Sequence, residues 1–255
     1  MEYELNLIVI VALVSAGLIS GFINTLAGGG SMLSLPALML VGMPPEIANA
    51  TNRVAVLLQS ITGMAGFNKH GALDQGAIAP ILVPTLVGAL VGALIASYLP
   101  SVVLKPVLLG SMVLMALVML FKPATIIPDS DTTPYTFAER PAAWMGMFIA
   151  GLYGGFVQAG VGFILIAALA GGLRYDLVRT NALKNVCTAA LSVVALGVFI
   201  ARDQVLWVPG LTLAAGSVVG AHLSVKFAIK ASQRTLKWIL LVMVLIACGA
   251  AMFSG

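Results

Sequence analysis

The stretch NTLAGGGSMLSLPALML, residues 24–40, sets three consecutive glycines and a serine inside an otherwise apolar run. That run extends over residues 5–42. As one straight helix its ~38 residues would measure ~57 Å, nearly twice the ~30 Å of bilayer hydrocarbon. A single straight crossing does not fit, so the glycines mark a place where the helix stops. In hydrocarbon an unpaired backbone N–H or C=O costs several kcal/mol. A break at membrane depth therefore survives only where protein buries it or a water-filled cavity adjoins it, and it points to a binding site.

Composition places the run in lipid. Of 255 residues, 60% are hydrophobic and 9% charged, with a mean hydropathy of +1.08. Residues 77–99 and 103–121 are long enough to span a bilayer, and the ~10-residue alternation of barrel strands is absent. The expected class is an all-α integral membrane protein. The start MEYELN is acidic where a signal peptide is basic, so no cleaved signal is expected. Cys187 and Cys248 sit in apolar segments without metal or redox spacing and read as small buried hydrophobes. The net charge of +4 comes from basic residues between spans, which positive-inside placement explains. No soluble domain remains to bind nucleic acid, and neither metal nor cofactor is expected.

The chain is written twice. GLISGFINTLAGG (residues 17–29) resembles GLYGGFVQAGVGF (151–163), Thr51-Asn52 recurs as Thr180-Asn181, and VGALVGA (87–93) recurs as AGSVVGA (215–221). The implied division is a first repeat over 1–121, a polar linker over 122–141 and a second repeat over 142–255. Each half opens on a long element, 5–42 or 142–172. Three spans follow in each, roughly 47–67, 77–99 and 103–121, then 177–201, 205–226 and 236–253.

If the opening element is a glycine-broken hairpin, three crossings per half make the repeats inverted. If it crosses once, the result is a parallel 4+4 repeat of eight transmembrane helices. Both gather most of the 13 Lys and Arg on one side, the hairpin slightly more. Length and the frequency of inverted repeats among secondary transporters also favour the hairpin. In either case the basic loop 226–237 is cytoplasmic and both termini are extracytoplasmic.

Gly28, Gly29 and Gly30 allow positive φ and remove the side chains that would hold a ligand away, so freed N–H groups and a half-helix N-terminus can face an anion. Ser31 falls at that helix start, as N-cap or direct ligand. The bland alternative is a tight turn between two closely packed helices. Arg53 and Lys184 are the unusual charges, each ~9–11 Å below a surface by helical rise. With Asn52, Asn181, Asn24 and Gln158 they would flank one central cavity. Glu46, Asp74, Asp176 and Asp203 all fall at span ends, so no intramembrane carboxylate neutralises the cations, and a mobile anion is their natural partner. The alternative for each is snorkelling to nearby headgroups, which is the better reading for Arg179. His222 reads as interfacial, Asn68, Lys69 and His70 as loop residues, and Pro36, Pro44 and Pro45 as helix ends or kinks. Gly88 with Gly92 and Gly216 with Gly220 read as small-residue packing faces, and such a face left exposed would permit a homodimer.

The motif GFINTLAGGGSMLSLPAL, followed by ANATNRVAV and then GFNKHGALD, is similar to the TauE/SafE family, the sulfite exporter and toluene-sulfonate uptake permease group. The similarity covers both halves, although the second keeps fewer glycines. It implies transport of small oxidised-sulfur anions such as sulfite or organosulfonates across the bacterial cytoplasmic (inner) membrane. A potential of 100 mV, negative inside, drives each exported negative charge with ~2.3 kcal/mol, so export needs no coupling ion. Alternatives are an uptake permease or an anion channel for another small anion. An intramembrane enzyme fails on inventory, lacking a metal-ligand cluster, an acid/base pair or an activated nucleophile. GGGS also lacks the Gly-Lys-Ser/Thr end of a phosphate loop.

Overall fold

The computed structural model describes residues 6–108, 110–111, 132–232 and 235–236. Most of the expected last span of each half, the linker up to residue 131, and Lys122, Arg234, Lys237 and Cys248 lie outside them. The described helices are α1 (Leu7–Leu26), α2 (Ser31–Leu40), α3 (Pro45–Lys69), α4 (Ile78–Tyr98), α5 (Ala142–Phe156), α6 (Val161–Ile166), α7 (Leu177–Ile200) and α8 (Trp207–Lys230). A π-helical stretch, Ala167–Gly172, continues α6, and residues 101–108 are helical. No strand occurs among the described residues. Helices α1, α4, α7 and α8 are long and apolar enough to cross a membrane. Their outward residues, such as Ile8, Val83 and Val208, are exposed aliphatics suited to lipid.

Local chemistry sets the helix ends. Asn6 caps α1 by accepting from the Val9 N–H at 2.9 Å, and Asp176 caps α7 by accepting from Val178 and Arg179 at 2.9 and 3.0 Å. Pro45 starts α3, where its missing N–H costs nothing. Asn68 and Lys69, expected in a loop, form the last turn of α3, which ends only at His70 and the positive φ of Gly71.

Both opening elements are hairpins. The Ser20 hydroxyl donates to the Gly30 carbonyl at 2.9 Å, whereas a straight helix would hold residues ten apart ~15 Å from each other. In the second half a Cβ on Gly146 would lie 3.6 Å from the Ala168 Cβ, and one on Gly172 would lie 3.8 Å from the Ala143 Cβ. A continuous helix would separate those pairs by more than ~30 Å. Gly28 turns the first hairpin with φ +89°, a conformation open to glycine at no steric cost.

The two halves interlock. Helix α1 packs on α8 so closely that a Cβ on Gly17, Gly21, Gly216 or Gly220 would overlap the facing backbone, and α5 meets α4 in the same way through Gly151, Gly155, Gly88 and Gly92. The small-residue faces read from the sequence are thus filled within the chain. Helices α3 and α7 run antiparallel: the Arg53 guanidinium lies over the Phe199 ring, 5.5 Å from its centre, while Gly63, farther along α3, faces Asn185, earlier on α7. At the helix ends Tyr175 donates to Asp74 at 3.2 Å, and the Gln204 amide donates to the Ser97 carbonyl at 3.3 Å.

Candidate functional site

The two hairpins meet tip to tip. Gly28 and Gly162 lie in contact, and a Cβ on either would collide with the backbone of the other. Gly29 sits against the Phe163 ring, and Gly30 against the Ser20 carbonyl and the Asn24 Cβ. The break in α1 leaves its last carbonyls without intrahelical partners, and the break after α5 does the same.

Those carbonyls are where the two cations go. Arg53 and Lys184 are 0% and 1% exposed, so neither snorkels. The Arg53 guanidinium donates to the Gly154 carbonyl and, at 2.9 Å, to that of Gly155, both near the end of α5. Beside it the Asn49 amide donates to the Phe156 carbonyl at 3.0 Å. The Lys184 ammonium donates at 2.8 Å to the carbonyls of Asn24 and Thr25, at the end of α1, and to the Asn181 side chain. Each half thereby supplies the cation that caps the broken helix of the other. A positive charge is also favourable at a helix C-terminus. Among the described residues neither cation has an acidic partner, and the one ion pair is that of Arg179 with Asp176 at the start of α7, 3.4 Å apart.

The residues singled out from the sequence divide into separate groups. Asn24, Asn181 and Lys184 form one. Arg53 and Asn52 belong to another, in which the Ser34 hydroxyl donates to the Asn52 side-chain Oδ1 at 2.7 Å and ties α2 to α3. Along α7 itself, Lys184 and the Phe199 that lies under Arg53 are separated by about 22 Å of helical rise, so the two cations do not share one set of contacts. Gln158 touches neither cation; its amide donates to Ser192 at 3.0 Å. Its φ of 66° is uncommon for a residue with a long side chain, and this strain at a hairpin tip marks a constrained position. Ser31 is not the N-cap of α2. Gly30 occupies that place with helical dihedrals, and the Ser31 hydroxyl, 1% exposed, is left without a partner.

Free donors are unequally distributed. All three N–H bonds of Lys184 are used. Arg53 keeps an unpartnered Nε and Asn52 an unpartnered Nδ2. Gln59 and Ser60, on the same helix, are equally buried and unpartnered. Neither is charged, so composition alone does not single them out. The signal was their spacing, since Asn49, Asn52, Arg53, Gln59 and Ser60 recur at helical period along one face of α3.

A separate cavity of about 460 Å³ lies at the helix ends, lined by Asp74, Tyr135, Phe137, Tyr175 and Arg179 among others. Burial, reinforced by the neighbouring Asp74 charge, pushes the Tyr175 phenol up to about 12.

Residues 13–252 match the family model described as "Sulfite exporter TauE/SafE". The chain belongs to this family. Its relatives include a "Probable membrane transporter protein" of Haemophilus influenzae, 25% identical over 243 residues that cover 95% of this chain and 93% of the relative. A Sinorhizobium "Probable membrane transporter protein ORF9" is 28% identical over 89% of this chain and 86% of its own length. The Escherichia coli K12 "Probable membrane transporter protein YfcA" is 24% identical over 86% and 81%. No solved structure matches. This TauE/SafE chain is a membrane transporter, and the glycine motif that breaks α1 lies inside the matched region.

Proposed function

We propose that this transporter carries small oxidised-sulfur anions, sulfite or an organosulfonate, out of the cytoplasm across the bacterial inner membrane. The anion binds near the midplane, where the hairpin tips meet. One observation carries this reading: two cations are fully buried beside the tips, and every hydrogen-bond partner they have among the described residues is neutral. Carbonyls and an amide satisfy their geometry but not their charge, and a buried charge without a counter-charge is costly. An anion visiting the site supplies it. A pyramidal or tetrahedral oxyanion accepts hydrogen bonds from several directions, which suits guanidinium, amide and hydroxyl donors. The family description names a sulfite exporter, which agrees with both substrate and direction.

The architecture we propose is an inverted pair of repeats, 1–121 and 142–255, joined by the linker 122–141. Three observations support it over the parallel arrangement. Gly28 and Gly162, which touch, occupy corresponding places in the aligned motifs, as expected beside a pseudo-two-fold axis. Corresponding helices α3 and α7 are antiparallel. The loops bearing Asp74 and Tyr175 are bonded together, whereas a parallel repeat would put them on opposite faces. In this arrangement both termini are extracytoplasmic.

The test is sulfite efflux from proteoliposomes under an imposed potential. Flux should saturate and accelerate when the sulfite-loaded interior is negative, and Arg53→Ala should abolish it. Uptake driven by a proton gradient at symmetric sulfite would overturn export. For topology, His70→Cys and Arg202→Cys in a background without native cysteines should react with an impermeant maleimide from opposite sides. Labelling from the same side would restore the parallel repeat.

A further inference from the structure

Deepening the transport reading, on which it rests, is the state of two residues outside the cation contacts. Gln59 is 1% exposed with both amide atoms unpartnered, and the adjoining Ser60 is 0% exposed with its hydroxyl unpartnered. Buried polar groups are almost always hydrogen-bonded, and one left alone carries its full desolvation penalty. Two such neighbours on one helix mark a place prepared for a visitor.

Their position is fixed by contacts already described. The Ser34–Asn52 bond sets α2 antiparallel to α3, which a short turn at residues 41–44 joins. Towards the break, Ser31 lies one turn beyond Ser34 and Gln59 two turns beyond Asn52, so their levels differ by about 6 Å, within reach of a glutamine side chain. From across the bundle, the antiparallel register of α7 brings Ser192, the partner of Gln158, to the level of Gln59. Ser31 itself is buried and unpartnered at the start of α2. The N–H groups of Gly29 and Gly30 find no backbone acceptor among the described residues. Three buried, unpartnered side chains thus lie at neighbouring levels of two packed helices, beside the amino end of the ten-residue α2.

We propose that the oxygens of the transported anion are received by a neutral donor set, Ser31 Oγ, Gln59 Nε2 and Ser60 Oγ, at the amino end of α2. Lys184 does not touch the anion; it is a positioning residue that holds the end of α1. The ammonium has no N–H left to give, whereas the neutral set has no other partner. The division suits a carrier. Lys184 supplies counter-charge from a distance and Arg53 has one N–H left to offer, while neutral hydrogen bonds are weaker than charge-assisted ones and let the anion leave. Three donors on two packed helices match the three oxygens of sulfite or a sulfonate better than the two of a planar carboxylate.

The test uses the full-length protein with sulfite as probe, reading efflux from proteoliposomes and the sulfite-induced shift in melting temperature. Ser60→Ala and Gln59→Met should each raise the sulfite KM about tenfold or more. The ligand-free variants should melt at or above the wild-type temperature, because an unpartnered buried polar group has been removed. Gln59→Glu should lose the sulfite-induced shift. Lys184→Arg should lower the melting temperature and the maximal rate but leave KM unchanged. Unchanged KM in both neutral variants, ligand-free melting below wild type in both, or a KM rise in Lys184→Arg would each overturn the assignment. A wild-type protein with no saturable flux of sulfite, methanesulfonate or sulfate would instead refute the transport reading itself.

Discussion

Arg53 and Lys184 do the same job from places that are not equivalent. When Thr51-Asn52 is matched to Thr180-Asn181, Arg53 falls opposite Ala182 and Lys184 opposite Ala55. Yet each reaches across to the freed carbonyls of the other half's broken helix. The breaks demand donors wherever they fall, and the cation that can reach is the one in place. What the two ends do with the remaining donors differs. The ammonium is saturated, while the guanidinium fork bonds two carbonyls and still keeps Nε free. One end is an anchor; the other is an anchor with a hand to spare.

The comparison breaks most severely at the point the two ends share. Gly28→Val would force a branched side chain into φ +89° and onto Gly162, and should cost more than ~3 kcal/mol, read as loss of monodisperse protein or a collapsed melting temperature in detergent. A variant as stable as wild type would end the tip-to-tip account. Lys184→Ala should follow, at ~3–5 kcal/mol, because it strands two carbonyls and Asn181 inside the bundle. Arg53→Lys sharpens the contrast: it keeps the charge but loses the fork, so stability should fall by only ~1–2 kcal/mol while sulfite efflux drops at least about tenfold. If Arg53→Lys transports normally, the spare donor has no role. Asn49→Ala, which removes the neighbouring cap on Phe156, should cost ~1–2 kcal/mol with substrate KM unchanged.

The smallest effect is expected at the outer cavity. The Tyr175 phenol is raised above its usual 10.0 to about 12, so its bond to Asp74 is fully present below pH 10. As pH rises towards 12 the unfolded chain ionises first and stability falls. Tyr175→Phe should remove that part of the alkaline slope in thermal melts and otherwise shift the melting temperature little.

Much of the scaffold is legible in the primary structure. Spans read at 77–99 and 177–201 are helices Ile78–Tyr98 and Leu177–Ile200, and the helix breaks fall at the two glycine-bearing stretches that the repeat brought into line. These signals are local: apolar length and glycine placement act on the segment that carries them. Ser31 shows the limit. A serine before a helix reads as an N-cap, but Gly30 takes that position once its carbonyl is held by Ser20 from the preceding helix. Gln59 and Ser60 are hard to read for a similar reason. A glutamine in an apolar helix stands out only when its neighbours are seen to leave it unpartnered.

The sequence alone determined that this chain is helical, suited to lipid, and interrupted at two glycine-bearing stretches. Hydrophobic length and backbone freedom are properties of short segments and survive any rearrangement of the whole. Tertiary structure decided what the charges do. The bonds of Arg53 to Gly154 and of Lys184 to Asn24 join residues 101 and 160 positions apart. A buried donor takes the acceptor that packing brings to it, and no local pattern names that acceptor in advance.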